Sequence, residues 1–177
     1  LMLLAGFTGQ FSLGHAAYFG LGAYVAGILA VHGWGEPISG LLIAGLAGAL
    51  FGFATSILVV RGSDLAQLMV TLGIGLMMYE LANQLSSITG GADGLSGVAM
   101  NKLLGAFSFD LAGSTAYVYS VVVLFLLFVV ARRIVASPFG LSLRGVRENR
   151  KRMPAIGAPV TRRLIAVYTV SAAMAGV

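Results

Sequence analysis

Four uninterrupted apolar stretches, at residues 11–31, 38–60, 65–85 and about 111–131, most restrict what this 177-residue chain can become. A helix needs roughly 20 residues to cross the hydrocarbon of a bilayer, and each run has that length. A fifth run opens near Leu164, and residues 1–7 read as the tail of an earlier one. The runs are continuous rather than alternating, so helices are expected and not barrel strands. Charged residues make up only 10% of the chain, against about 25% in a soluble domain, and the mean hydropathy is +0.95. The expected fold is all-α: a polytopic transmembrane helix bundle forming a single domain over residues 1–177, truncated at both ends.

Glycine is abundant, with 25 copies scattered among Leu, Ala, Val and Phe. In the second run Gly40, Ala44, Gly48, Gly52 and Ser56 recur every four residues. That spacing puts them on one helix face, where a neighbouring backbone can come close. The first run carries looser pairs, Ala16/Gly20, Gly22/Ala26 and Ala23/Gly27.

The net charge is +5, and nine of the eleven Lys and Arg fall within residues 132–163. Basic residues gathered between two spans mark the cytoplasmic side. Residues 86–110 are then an external loop, residues 61–64 a tight inside turn, and residues 32–37 outside again. The external loop sets Lys102 against Asp93 and Asp110, so it has no positive excess. Nucleic-acid binding is excluded, because no folded basic platform with stacking aromatics is present. With no cysteine, disulfides and thiolate metal sites are excluded too.

The basic loop has internal structure. Ser137 is placed to cap a helix with Pro138 at its first position. Leu143, Val146 and Met153 then fall near one face and the arginines around the rest, until Pro154 ends or kinks the helix. Such a basic amphipathic helix suits a membrane surface and equally a docking element for a cytoplasmic partner, and periodicity does not separate the two.

Polar residues inside the runs are few. Gln10, Ser12 and His15 form a patch near the start of the first run; they either hydrogen-bond neighbouring helices or line a translocation path. Glu80 lies near the outer end of the third run, at the interface or in a functional role. Trp34, Tyr117 and Tyr119 fit interfacial anchors. The glycine-rich stretch 89–97 is expected to be a turn capped by Asp93. It is no phosphate loop, since the only lysines, Lys102 and Lys151, do not complete one. Two histidines, His15 and His32, do not make a catalytic or metal cluster, so no enzyme is expected.

Three motifs in order carry a family resemblance over nearly the whole chain. The first is Thr8-Gly9-Gln10-Phe11-Ser12-Leu13-Gly14-His15-Ala16-Ala17, and the second is Thr89-Gly90-Gly91-Ala92-Asp93-Gly94-Leu95-Ser96-Gly97. The third runs through Ser137-Pro138-Phe139-Gly140, Arg144, Arg147-Glu148-Asn149, Gly157, Arg162-Arg163 and Ser171-Ala172-Ala173-Met174-Ala175-Gly176. Together they resemble branched-chain amino acid ABC transporter permeases of the LivM type.

The resemblance implies a type II importer-like permease in a bacterial inner membrane. It implies as partners cytoplasmic ABC ATPase subunits, a second, LivH-like permease subunit forming a heterodimer, and a periplasmic substrate-binding protein. The chain itself would hold no cofactor, ATP being bound by the partner. ATPase docking would fall to Arg144, Arg147, Glu148, Asn149, Arg150 and Gly157, and the substrate path to Gln10, Ser12, His15, Thr71 and Glu80.

Two departures bear on chemistry. Where such permeases often carry Glu-Ala-Ala before the loop glycine, this chain has Lys151-Arg152-Met153. Either Glu148 takes the acidic role or the docking is more basic. After Thr71-Leu72, where the family often places a Glu and an Arg, only Glu80 offers charge. The competing class, a secondary transporter or channel without an ATPase, would be marked by a helix broken at the midplane or by paired intramembrane charges, and the sequence displays neither.

Overall fold

The computed structural model describes residues 2–10, 12–98, 113–150 and 152–177. Phe11, Lys102, Asp110, Leu111 and Lys151, on which some expectations above rest, lie outside the described residues. The chain runs through helices α1 (Met2–Thr8), α2 (His15–Val31), α3 (Pro37–Val59), α4 (Asp64–Gln84), the single-turn α5 (Ser86–Thr89), α6 (Ser114–Ala136), α7 (Pro138–Glu148) and α8 (Val160–Gly176). No strand occurs among the described residues. By length and composition, α3, α6 and the Leu65–Gln84 part of α4 can each cross a membrane, while α2 is apolar but shorter.

The bundle is organised by the small-residue ridge of α3. Gly40, Ala44, Gly48, Gly52 and Ser56 are all buried, and the helix that Ala44, Gly48 and Gly52 meet is α8. A Cβ added at Gly48 would sit 2.8 Å from the Ala172 carbonyl oxygen, and one added at Gly52 would collide with the Ala172 side chain. From the other side, a Cβ at Gly176 would lie 2.8 Å from the Ala44 carbonyl. The α2 helix joins this seam at Gly22, which abuts the backbone of Gly176. Between apolar helices in lipid there is little hydrophobic drive, so close backbone contact of this kind supplies the association. Of the looser α2 pairs only Gly22 takes part: Gly20 has nothing within 4 Å, and Gly27 faces the Leu95 side chain.

The first span departs from expectation. Residues 11–31 do not form one helix; α2 begins at His15, and the backbone at Gly9, Gln10 and Ser12 to Gly14 is non-helical. Gly9 takes φ +71, a conformation that L side chains rarely adopt. The Leu13 N–H donates to Thr71 Oγ1 at 3.2 Å, and Gly14 packs directly on the Thr71 backbone. Thr71 lies about 10 Å along α4 from its start, at 1.5 Å per residue. The Gly6 carbonyl accepts from Arg147 and Gly9 lies under the Arg147 stem, so the non-helical segment joins α1, the tail of an earlier run, to α2 at the basic end. Non-helical backbone beside apolar spans has to be buried in protein or line a cavity.

At the basic end, α6 continues through Arg132 and Arg133 to Ala136, so this pair closes a helix rather than opening a loop. Ser137 Oγ accepts from the Gly140 N–H, with Pro138 in the first turn, as the sequence predicts. The helix ends at Glu148, sooner than expected, because Asn149 Oδ1 turns back to accept from the Arg152 N–H at 3.0 Å. Met153 then begins a 3-10 turn, Met153–Ile156, and still packs against the cluster of Val60, Val146, Val160 and Leu164. At the other end, Gly90 adopts φ +78 with its Cα against the Gly94 carbonyl, which excludes any side chain. The cap expected of Asp93 comes from Thr89 instead, whose Oγ1 donates to Ala82 O at 2.5 Å and accepts from the Gly91 N–H at 3.3 Å.

The seam gives a direct test. Gly52→Leu is expected to lower the thermal midpoint of the detergent-solubilised chain, through an overpacking cost of about 1–3 kcal/mol. Gly20→Ala, at an open helical position, is expected to leave it unchanged or slightly raised. Melting followed by circular dichroism reads both, and an unshifted Gly52→Leu would displace the seam from the centre of the fold.

Candidate functional site

The break between α1 and α2 is enclosed by hydroxyl groups that three helices present at matching depth. Ser12 Oγ lies 3.0 Å from His15 Nδ1, and Ser171 Oγ lies 2.8 Å from His15 Nε2. Both ring nitrogens are thus held, one by the break and one by α8. One turn on, the Tyr18 hydroxyl lies 2.7 Å from Thr55 Oγ1 and donates to the Tyr168 hydroxyl at 3.0 Å. The rings of His15, Tyr18 and Tyr168 meet edge-to-face at centroid distances of 5.5 to 6.0 Å. Buried hydroxyls and imidazole are tolerated in an apolar bundle only when paired, and here each has a partner. Gln10 differs: it is 6% exposed, and neither its amide nitrogen nor its amide oxygen is paired among the described residues.

Beside the break, α2 and α4 diverge around a cleft of about 790 Å³. Leu13, Gly14, Ala16 and Tyr24 form one wall and Leu72, Gly75, Leu76 and Tyr79 the other, with Asn83, Thr89 and Asp93 at the far end. The walls are mostly apolar and the polar groups sit toward the end roofed by the Gly90–Gly94 turn. Such a cleft suits a small solute with an aliphatic body and a polar head.

At the basic end, α7 buries Gly140, Leu143 and Val146 and leaves Leu141 61% exposed. Its arginines are engaged within the chain. Arg147 Nη1 donates to the Gly6 carbonyl at 2.6 Å, and the Arg144 guanidinium lies 5.3 Å from the centre of the Phe7 ring. Arg150 Nη2 donates to the Val60 carbonyl at 2.9 Å. These acceptors are helix-end carbonyls of α1 and α3, which lack intrahelical partners and favour a cation. Glu148, Asn149 and Gly157 are exposed.

Of the path residues inferred from sequence, Gln10, Ser12, His15 and Thr71 come together at the break. Glu80 does not: it is exposed, about 14 Å further along α4, and accepts from Gln84 Nε2 at 3.0 Å. Sequence reasoning missed Tyr18, Thr55, Tyr168 and Ser171. The available signal was polar side chains at i, i+3 in apolar helices, His15/Tyr18 and Tyr168/Ser171. Among the described residues no group of three His, Asp or Glu could hold a metal.

Comparison with known proteins agrees with this architecture. The family model described as "Branched-chain amino acid transport system / permease component" matches residues 1–177. The chain is 30% identical over 203 aligned residues to the high-affinity branched-chain amino acid transport system permease protein LivM of Salmonella typhimurium, covering 99% of this chain and 46% of that protein. The LivM of Escherichia coli matches with the same identity and coverage. The chain thus spans about half the length of these curated relatives. No solved structure matches. By the family model and by these relatives, the chain belongs to the branched-chain amino acid transport system permease family.

Proposed function

We propose that this chain is part of the membrane-spanning subunit of an ATP-driven importer for branched-chain amino acids or similar small amphiphilic solutes. The observation that carries this reading is α7: a short amphipathic helix at the basic end, anchored on its apolar side and exposed along Leu141, Glu148 and Asn149. A helix so placed between two spans is suited to receive a cytoplasmic ATPase. Docking is assigned to Leu141, Glu148, Asn149 and Gly157, with Glu148 in the acidic role. Arg144, Arg147 and Arg150 tie α7 to the spans. In this scheme a second permease subunit faces the α2/α4 cleft, a periplasmic binding protein delivers the solute, and the assembly sits in a bacterial inner membrane. The chain does no covalent chemistry; ATP belongs to the partner.

The solute path is assigned to the cleft and to Gln10, Ser12, His15 and Thr71 behind its wall. The aliphatic lining fits a branched side chain, and the cleft volume of about 790 Å³ accommodates one amino acid with water. A second reading is a carrier needing no ATPase, which would be marked by a helix broken at the midplane or by paired intramembrane charges. Family membership and α7 favour the first.

Two measurements test the proposal in the full-length protein expressed with its ATPase and binding protein. Leu141→Asp with Glu148→Lys is expected to reduce ATPase co-purification by about tenfold, equivalent to ~1.4 kcal/mol. Full capture by that variant would sink the docking assignment, and uptake persisting without the ATPase would establish the carrier reading. Thr71→Val removes the acceptor of the Leu13 N–H, at about 1–3 kcal/mol. Uptake of radiolabelled leucine is then expected to fall several-fold with ATPase capture intact; unchanged uptake would take the break out of the path.

A further inference from the structure

The docking helix α7 and the following α8 both hold the break by polar ties, and Leu3 and Leu4 of α1 share a buried core with Val167 and Tyr168 of α8. On the α7 side, Arg147 reaches the Gly6 carbonyl at 2.6 Å, one of the last four carbonyls of α1, which have no intrahelical donor. Its stem lies over Gly9, where an added Cβ would be 3.5 Å from Arg147 Cγ. Arg144 covers the Phe7 ring. On the α8 side, Ser171 and Tyr168 hold His15 and Tyr18 at the start of α2. The first tie is exposed and the second buried.

We infer that the α1/α2 break is the hinge of the transport cycle, with α1 carried by α7 through Arg144 and Arg147 and α2 carried by α8 through Ser171 and Tyr168. The inference rests on α7 as the ATPase-docking element and names how displacement of that element reaches the cleft. Between the arms the backbone has no helical ladder, and Gly9 supplies a residue able to absorb a change of φ and ψ. Beyond Glu148, the chain joins α7 to α8 through the turn ending at Gly157, itself at φ +78. Leu143 and Val146 pack against Val167, Tyr168 and Leu164 of α8, so a shift of α7 relative to α8 is a slide across that apolar contact. Such a shift changes the angle between α1 and α2. Leu13 and Gly14 lie in the break and on the cleft wall at once, so the change of angle alters the cleft directly. Arg147 is therefore a positioning residue: its contact is with α1, and its effect is on the path.

The test uses the complete importer in proteoliposomes, with Arg147→Gln for the α7 arm and Tyr168→Phe with Ser171→Ala for the α8 arm. Each variant is expected to retain its ATPase and hydrolyse ATP within about twofold of wild type, while leucine transported per ATP falls about tenfold. Arg147→Lys, which keeps one donor, is expected to recover part of the loss. Spin labels at Leu13→Cys and Leu76→Cys, in an importer whose other cysteines are replaced, report across the cleft; their distance should change with ATP in wild type and not in Arg147→Gln. Wild-type transport per ATP in either arm would overturn the hinge, and so would loss of ATPase capture in Arg147→Gln, since that arginine would then belong to the docking face. If Arg147→Gln does not fold, the α8-arm variants decide by the same ratio. The docking reading is tested separately by Leu141→Asp with Glu148→Lys, so either idea can fail without the other.

Discussion

Contact between the backbones of α3 and α8 is the constraint on which the remaining structure depends. Gly48 and Gly52 admit Ala172, and Gly176 admits Ala44, with no side chain of any size between the two helices. The seam fixes more than a distance. Gly22 of α2 meets Gly176, which sets the height of α2 against α8, and that height brings His15 to Ser171 and Tyr18 to Tyr168 further down. Thr55 and Ser56, on the same α3 stretch as Gly52, return their hydroxyls to their own helix at Phe51 and Phe53, so α3 stays compact at the contact. The polar network is a consequence of the glycine seam, because hydroxyl pairs of 2.7 to 3.0 Å need the backbones already close.

Parts of this were legible in the sequence for a simple reason: they are periodic. A small residue every fourth position from Gly40 to Ser56 has one structural meaning, and all five are buried. Ser137 followed by Pro138 also has one meaning, a capped helix start, and the cap forms. That α2 starts at His15 rather than at residue 11 was hidden because Ser12 and Gly14 are residues that an apolar helix tolerates. What stops α2 there is a partner far along the chain, Thr71, whose hydroxyl competes for the Leu13 N–H. The network residues were hidden because each is a single polar group in an apolar helix, and pairing between α2, α3 and α8 is not written in any local pattern. The arginines show a different limit. Charge indicates where a side chain is costly to bury, but not which acceptor it finds, and Arg144 and Arg147 find α1.

The outer helices follow another logic. No residue of α6 is buried, and its Leu124, Phe125 and Phe128 are exposed. In water such a surface would drive association. Against hydrocarbon it costs nothing, and α6 needs only to hold α7 in place, which it does where Gly140 packs on the carbonyl of Val135. The α4 helix is nearly as exposed, yet it buries Gln67 and Thr71. Gln67 Nε2 donates to the Gly62 carbonyl at 3.1 Å and holds the turn before α4, while Thr71 holds the break. The helix is thus tied to the bundle by two polar residues rather than by an apolar face.

Gln10 is the residue that fits this arrangement least. It lies in the break, excluded from solvent, with both ends of its amide unpaired among the described residues. Every neighbouring polar group with a comparable degree of burial, Ser12, His15, Thr71 and Ser171, has a partner. An unpaired buried amide costs about 1–3 kcal/mol, which is of the order that separates two states of a switching protein. Among the described residues the cost falls on the segment between the arms held by α7 and α8. An arrangement of the break that lets this amide bond would be favoured by that amount. Gln10 is thus the one polar group of the described break still able to take a partner, and it sits where α1 passes into α2.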